Sequence, residues 1–304
     1  MGKRAGRLSC LMGKPGISSE NLALESCLLE WREKVLPNIR LEFPDPELKP
    51  EQVIAALLAD RPVAELVTQI PNVKVIQKAA AEFLKSITSI NTFKNGFKPW
   101  FDHLPDGAAE IAEDERITDW FAYSWQGDRA GHEKLALATG MDPDLLAWAG
   151  NQLTRPFFHR LGELLAAHQP AEGPPKLTVG CPCCGGPPRL GRYARNEGQR
   201  YLWCDLCNIQ WAFRRVTCAF CLNTEHEKLG FLTVDGIEHY RIDVCKACSG
   251  YLRSIDERDL PEDHRTDYLL EDVGTLHLSM AAEKDGWQQG VILSGAVPGQ
   301  KWDG

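Results

Sequence analysis

Apolar residues between positions 19 and 168 recur at helical spacing. From Asn21 to Pro37, Leu22, Leu24, Leu28, Leu29, Trp31 and Val35 form one broad stripe, which predicts a helix. Ser18 or Ser19 supplies its N-cap oxygen, Glu20 places negative charge near the first turn, and Pro37 marks its end. Pro50-Glu51-Gln52 opens a second helix that runs through Val53, Leu57 and Leu58 to Asp60. Proline is tolerated there because its missing N–H would have no partner in a first turn. Val63 to Ile90 reads as one or two helices divided around Pro71. Ile111 to Gly140 and Pro143 to His168 continue the alternation of helix and short turn. Such frequent Gly and Pro punctuation predicts a compact bundle rather than one long coil. His168 to Gly180 (HQPAEGPPKLTVG) holds three prolines and two glycines and reads as a linker.

At Cys181 the pattern changes to short strands. Gln199 to Trp203 and Gln210 to Phe213 read as two of them. Lys228 to Val234 and His239 to Val244 flank Asp235-Gly236, a hairpin turn signal. Beyond Pro261, Thr266 to Lys284 reads as one further helix with Gly286 as its C-cap.

The strand region carries four Cys-x-x-Cys pairs within 68 residues: Cys181/Cys184, Cys204/Cys207, Cys218/Cys221 and Cys245/Cys248. A degenerate repeat organises them. Each half has a Cys pair, a hairpin, an aromatic-bearing strand, a second Cys pair and then an aromatic, Trp211 or Tyr251. Nineteen residues separate the inner cysteines of the first half and 23 those of the second. The repeat predicts two sequential four-sulfur sites rather than interleaved ones. Site 1 is Cys181, Cys184, Cys204 and Cys207; site 2 is Cys218, Cys221, Cys245 and Cys248. Four thiolates suit zinc or iron and exclude magnesium and calcium. A closed four-thiolate site has no open position to activate water, so hydrolysis there is excluded. Scaffolding, one-electron transfer or metal sensing remain. The turn Cys181-Pro182-Cys183-Cys184-Gly185 resembles the knuckle of zinc ribbons and rubredoxins.

The fold class that follows is α+β. An N-terminal all-helical domain (1–170) and a linker (171–180) lead into two tandem rubredoxin-like, zinc-ribbon β units. These span 181–215 and 216–257, before a C-terminal helix and tail (258–304).

Composition narrows the function further. The chain has 304 residues and a net charge of -8, yet residues 176–256 carry 11 Lys/Arg against 8 Asp/Glu. Two divalent ions on eight thiolates would bring that segment near neutrality, which disfavours nonspecific nucleic-acid binding. No apolar run reaches the ~18 residues of a membrane helix. The basic start at Lys3, Arg4 and Arg7 is followed by Gly13, Lys14 and Pro15 rather than by an export signal's apolar run. The expected compartment is cytoplasmic, where paired Cys-x-x-Cys favours metal over disulfide.

Other residues carry less. Cys183 reads as a solvent-facing spare thiol; the sharper alternative is an exchange-competent thiol beside an electropositive metal. Cys27 reads as a small core residue and Cys10 is isolated. His226 and His239 lie in the ribbon region but have eight cysteines to compete with. Glu110 to Glu115 reads as a solvated helix start. Trp100, Trp120, Trp125 and Trp148 read as core or as a protein-binding surface. No phosphate-binding loop, dinucleotide fingerprint or nucleophile elbow is present, so no catalytic or organic-cofactor residues are assigned.

The motif run is specific. Cys181-Pro182-Cys183-Cys184-Gly185, Arg200-Tyr201-Leu202-Trp203-Cys204-Asp205-Leu206-Cys207, Trp211, Arg215-Val216-Thr217-Cys218 to Cys221, Cys245 to Cys248 and Tyr251-Leu252 together resemble the formate dehydrogenase accessory protein family, FdhE. So does the later stretch from Glu271 to Leu278 and from Glu283 to Trp287. Cys183 departs from the family's pattern. The resemblance implies a non-enzymatic cytoplasmic assembly factor. It would bind the catalytic subunit of respiratory formate dehydrogenase before export and hold two metal ions, with iron favoured and zinc the alternative. A homodimer is left open. The rival readings are a rubredoxin-like electron carrier and a zinc-ribbon nucleic-acid binder. The latter would use a basic-aromatic face of Arg189, Arg192, Arg195, Arg200, Arg214 and Arg215 with Tyr201, Trp203 and Trp211.

Overall fold

A computed structural model describes residues 8, 11, 17–43, 49–59, 61–67, 71–102, 114–168, 180–195, 198–233, 238–258, 260–261 and 265–290. The 169–179 stretch, Cys10 and the Asp235-Gly236 turn fall outside these residues.

The first half is helical. It comprises α1 (Ser19–Glu42), α2 (Pro50–Leu58), α3 (Val73–Ile87), α4 (Asn91–Gly96), α5 (Lys98–Asp102), α6 (Glu115–Gln126), α7 (Arg129–Thr139) and α8 (Pro143–His168). Ser18 caps α1 by accepting from the Asn21 N–H at 3.1 Å. Asp114 caps α6 in the same way. Gly127 and Gly140 end α6 and α7 at φ 65° and 70°, a conformation that favours glycine.

Two sequence expectations change here. Pro37 does not end α1, which continues to Glu42. The proline sits on the exposed side, where the carbonyl it leaves unbonded meets water, while Val35 and Ile39 remain in the core. The segment before Pro71 forms a 3-10 turn, Val63–Leu66, rather than a helix.

The tryptophans fill the core. Trp100 and Trp120 are fully buried, with ring centroids 5.4 Å apart. Trp125 stacks on Phe158 at 4.3 Å and Trp148 on Phe93 at 5.0 Å. Trp100 and Trp120 are thus interior packing, while Trp125 and Trp148 are half-buried against the core.

The cysteine region forms one mixed sheet. Its strands are β1 (Leu190–Tyr193), β2 (Arg200–Trp203), β3 (Gln210–Phe213), β4 (Leu229–Thr233), β5 (Tyr240–Cys245), β6 (Gly250–Asp256) and β7 (Gln288–Gln289). The order is β3-β2-β1-β6-β5-β4, with β7 also on β6. Each half of the repeat is an antiparallel three-stranded meander. The halves join where β1 and β6 run parallel, with Leu190 opposite Arg253 and Tyr193 opposite Asp256. Gly191 is required at this seam, because a Cβ there would collide with the Ser254 hydroxyl.

The C-terminal segment is two helices, α9 (Tyr268–Gly274) and α10 (Leu276–Lys284), not one. The break falls at Thr275, whose Oγ1 accepts from Arg253 Nη1 at 2.7 Å and donates to the Glu271 carbonyl at 2.6 Å. Both helices cover one face of the sheet. Asp272 pairs with Arg253 and with Arg189, Tyr251 donates to Glu283 at 2.9 Å, and Tyr268 stacks on Trp203. Arg253 and Asp272 thus compensate each other's charge within the packed layer. Among the described residues no helix is long and apolar enough to cross a membrane.

Candidate metal centre

All four Cys pairs use the same turn. In the first, the Cys181 N–H donates to the Gly186 carbonyl at 2.8 Å and the Gly185 N–H to the Cys181 carbonyl at 2.8 Å. The Cys183 and Gly186 amides point at Cys181 Sγ and Cys184 Sγ, both at 3.4 Å. The second and third turns repeat the pattern through Cys204/Asn208 and Cys218/Leu222. In each of the four, the residue after the second cysteine is left-handed: Gly185 (φ 78°), Asn208 (58°), Leu222 (58°) and Ser249 (56°). The last three are the non-glycine positive-φ residues among those described. Such a conformation costs about 1–2 kcal/mol in a residue other than glycine, and here it aims backbone N–H groups at sulfur. The motif spacing shows the knuckles; the left-handed positions carry no consistent residue type and were invisible in sequence.

The turns converge in two groups. The sulfurs of Cys181, Cys184, Cys204 and Cys207 lie within 4.8 Å of one another, as do those of Cys218, Cys221, Cys245 and Cys248. In the first group Cys181 and Cys207 are 3.2 Å apart and Cys184 and Cys204 3.5 Å. In the second the corresponding separations are 3.7 and 3.8 Å. A tetrahedral ion with metal–sulfur bonds of ~2.3 Å needs sulfur–sulfur edges of ~3.8 Å. The second group has that edge and the first needs a slight expansion. All eight cysteines are free of disulfides, so each group could hold one thiophilic ion.

Within each group some thiols are raised and one is lowered. Burial pushes the Cys181 thiol up, but hydrogen bonds from Cys184, Cys204 and Cys207 overturn this and leave it well below the ordinary thiol range. Cys184 and Cys207 move well above it. In the second group burial raises Cys218 and, to about 11, Cys248, whereas Cys245 is lowered by neighbouring amides and thiols despite its burial. Hydrogen bonds from neighbouring groups thus favour the thiolate at Cys181 in one group and at Cys245 in the other. A divalent ion is what lets all four lose their protons.

The two groups differ in their surroundings. All four sulfur-bearing residues of the first are buried. It is clamped to the helical half: the Val63 and Ala64 amides donate to the Pro182 and Cys183 carbonyls at 3.0 and 2.8 Å. Arg155 of α8 pairs with Asp205. Gly162 of α8 lies so close to the Cys207 carbonyl that a Cβ there would clash. Beside this contact His159 is pushed down to about 3 by burial and by Arg32 and Arg155. Sequence alone gave no sign of His159, which becomes notable only because α8 packs on this knuckle. In the second group Cys221 and Cys248 are half-buried.

The remaining candidates separate clearly. Cys183 is fully buried, not solvent-facing, because Pro182 and Cys183 plug into the 63–64 turn. That burial also removes the access a thiol-exchange role requires. Cys27 is half-buried, with burial raising its thiol. His226 and His239 belong to neither sulfur group. The basic-aromatic face does not assemble. Trp203 and Trp211 are buried, and Arg189, Arg192 and Arg200 pair with Asp272, Glu257 and Asp243.

Fold and site define a class: an α+β protein whose helical half packs on a mixed sheet bearing two four-cysteine clusters. Residues 180–215 match the family described as FdhE, central domain. Protein FdhE homolog of Pseudomonas aeruginosa is 33% identical over 114 residues, covering 35% of this chain and 36% of that one. The homolog of Actinobacillus pleuropneumoniae serotype 3 is 26% identical over 205 residues, covering 66% and 61%. The matches to the first of these relatives thus span about a third of their length. The crystal structure of the FdhE protein from Pseudomonas aeruginosa shares the fold, with a TM-score of 0.56 over 95% of this chain and 93% of that one, at 21% identity. The chain is thus similar to FdhE proteins, in sequence over its cysteine region and in fold over most of its length.

Proposed function

We propose that this protein is a cytoplasmic accessory factor for respiratory formate dehydrogenase, and that it binds the catalytic subunit before export. The observation that carries the reading is the FdhE central-domain match at residues 180–215, which contains the whole of the first four-cysteine cluster. The donor chemistry supports it: eight thiols in two saturated groups make a scaffold or an electron-transfer centre, not a hydrolytic one. We assign Cys181, Cys184, Cys204 and Cys207 to one ion and Cys218, Cys221, Cys245 and Cys248 to the other. Iron is the proposed metal and zinc its competitor.

The test is genetic and biochemical. A deletion strain should make normal amounts of formate dehydrogenase polypeptide without its activity, and the wild-type gene should restore it. Full activity in the deletion strain would overturn the reading. Metal analysis and the visible spectrum of anaerobically purified protein decide between iron and zinc.

A further inference from the structure

Strand β5 flanks β6 from Gly250 to Ile255. The other edge of β6 is shared by two strands, both parallel to it. β1 covers Arg253 to Asp256, and β7 covers Gly250 and Tyr251. The sequence explains why β1 stops short. In the register that sets Leu190 opposite Arg253, the positions opposite Gly250 and Tyr251 would be Pro187 and Pro188. A proline has no N–H for a sheet ladder, so the segment leading into β1 cannot fill that slot. Gln288 and Gln289 fill it instead.

The slot lies against the second cluster. The Gln288 N–H donates at 2.9 Å to the carbonyl of Ser249, the left-handed residue of the fourth knuckle. Two residues further on, Gly290 is buried against the third knuckle. A Cβ on Gly290 would come within 2.2 Å of the Phe220 ring. Phe220 stands between Cys218 and Cys221, and its N–H points at Cys218 Sγ at 3.4 Å. The three elements meet at Gly250. A Cβ there would lie 3.1 Å from Cys248 Sγ, 3.3 Å from the Phe220 ring and 3.5 Å from Gly290 Cα. Residues 288–290 therefore touch both knuckles whose sulfurs converge in the second group.

The two clusters are closed at the same place by different means. Cys183 and Phe220 hold equivalent positions, one residue before the second cysteine of their knuckles. The Cys183 carbonyl is bonded by Ala64, in a turn that belongs to the helical half and its large core. Phe220 is packed by Gly290, which follows a strand of two residues with exposed side chains. So short a strand buries little of its own and opens at far lower free energy than the whole molecule. Trp287, just before it, packs on Ile242 and Leu278 of the sheet layer and keeps the opening local.

We propose that residues 288–290 are an exchangeable strap over the second metal centre. Closed, the strap ties the third and fourth knuckles together and covers Phe220. Open, it frees the Cys248 side of the cluster to ligands that deliver or remove the ion. Resting on the assignment of Cys218, Cys221, Cys245 and Cys248 to one ion, the strap adds the route by which that ion enters and leaves. The first centre has no equivalent release, because its closure is part of the helical core.

The test mixes the zinc-loaded full chain with excess pyridylazoresorcinol and follows the zinc–dye absorbance. Gln288→Pro removes the N–H bonded to Ser249 at an exposed position that does not touch Phe220. Gly290→Val wedges the strap off the Phe220 ring. Each should speed zinc release from the second cluster by roughly tenfold or more, with release from the first cluster and the circular dichroism unchanged. An unchanged rate in Gln288→Pro would overturn the proposal, whatever Gly290→Val does, since a valine could distort the third knuckle directly. Equal acceleration at both clusters would mean general destabilisation and would also overturn it. Metal analysis before mixing checks the assignment separately. A chain with one ion, lost in Cys204→Ser and kept in Cys245→Ser, would remove the second centre and the strap's role with it.

Discussion

The Ala64 amide donates to the Cys183 carbonyl across 2.8 Å. This bond, with its neighbour from Val63 to Pro182, joins the helical half to the middle of the first cysteine knuckle. Metal binding at the first cluster should therefore be felt in the helices. Cys204→Ser should lower the thermal midpoint of the helical signal near 222 nm by more than Cys245→Ser does, as read by circular dichroism and metal analysis together. Equal shifts would mean that the joint carries no coupling.

Gly162 of α8 tests the same joint from the other side. A methyl group there would overlap the Cys207 carbonyl and crowd Ile209. Gly162→Ala favours the helix intrinsically by about 1 kcal/mol, so a simple helix effect would stabilise. The clash predicts the opposite sign, a loss of roughly 1–3 kcal/mol in urea unfolding, with reduced retention of one metal ion.

Burial should make the two clusters unequal toward chelators. The first has four buried cysteines; the second leaves Cys221 and Cys248 half-buried. Solvent access sets how fast a competing ligand reaches the metal. Stopped-flow transfer to a chromophoric chelator should show two phases of equal amplitude, the faster by roughly tenfold or more. Cys245→Ser should remove the fast phase and leave the slow one.

Ser249 is exposed and left-handed at φ 56°. Ser249→Gly should relieve that strain and stabilise the fourth knuckle by about 0.5–1 kcal/mol. Ser249→Val should destabilise it by about 1–2 kcal/mol. Denaturant midpoints of the metal-loaded protein check both signs.

His132 gives a pH dependence inside the helical half. Burial pushes its pKa down, only partly offset by Asp128, and its Nε2 lies 2.9 Å from Ser124 Oγ. The native state resists a proton that the unfolded chain accepts below about 6.5. The unfolded state then binds more protons, so stability falls as pH drops through that value and is unaffected well above it. Urea unfolding of the wild type should weaken between pH 7 and 5 more steeply than that of His132→Gln, followed by tryptophan fluorescence. Parallel pH profiles would show that His132 contributes nothing.

Much of this molecule is written in local pattern. The 3.6-residue stripe from Leu22 to Val35, the caps at Ser18 and Asp114, and the Cys-x-x-Cys turns each depend on residues within a few positions of one another. Local chemistry is enough to specify them. The repeat spacing likewise orders the cysteines into two groups, because each half can close on itself.

Tertiary packing decided the rest. Pro37 stays helical because Val35 and Ile39 are held in the core around it. Cys183 is buried because a turn more than a hundred residues earlier accepts it. The β1–β6 seam, the break at Thr275 and the two-sided pairing of Asp272 all join residues distant in sequence. Long-range pairing leaves no periodic trace, since each partner looks ordinary until the other is beside it. The same holds for the pairing of Asp243 with Arg200 and Arg241. Arg200, Arg241 and Asp243 lie on two strands from different halves of the repeat, and only strand register puts them on one face.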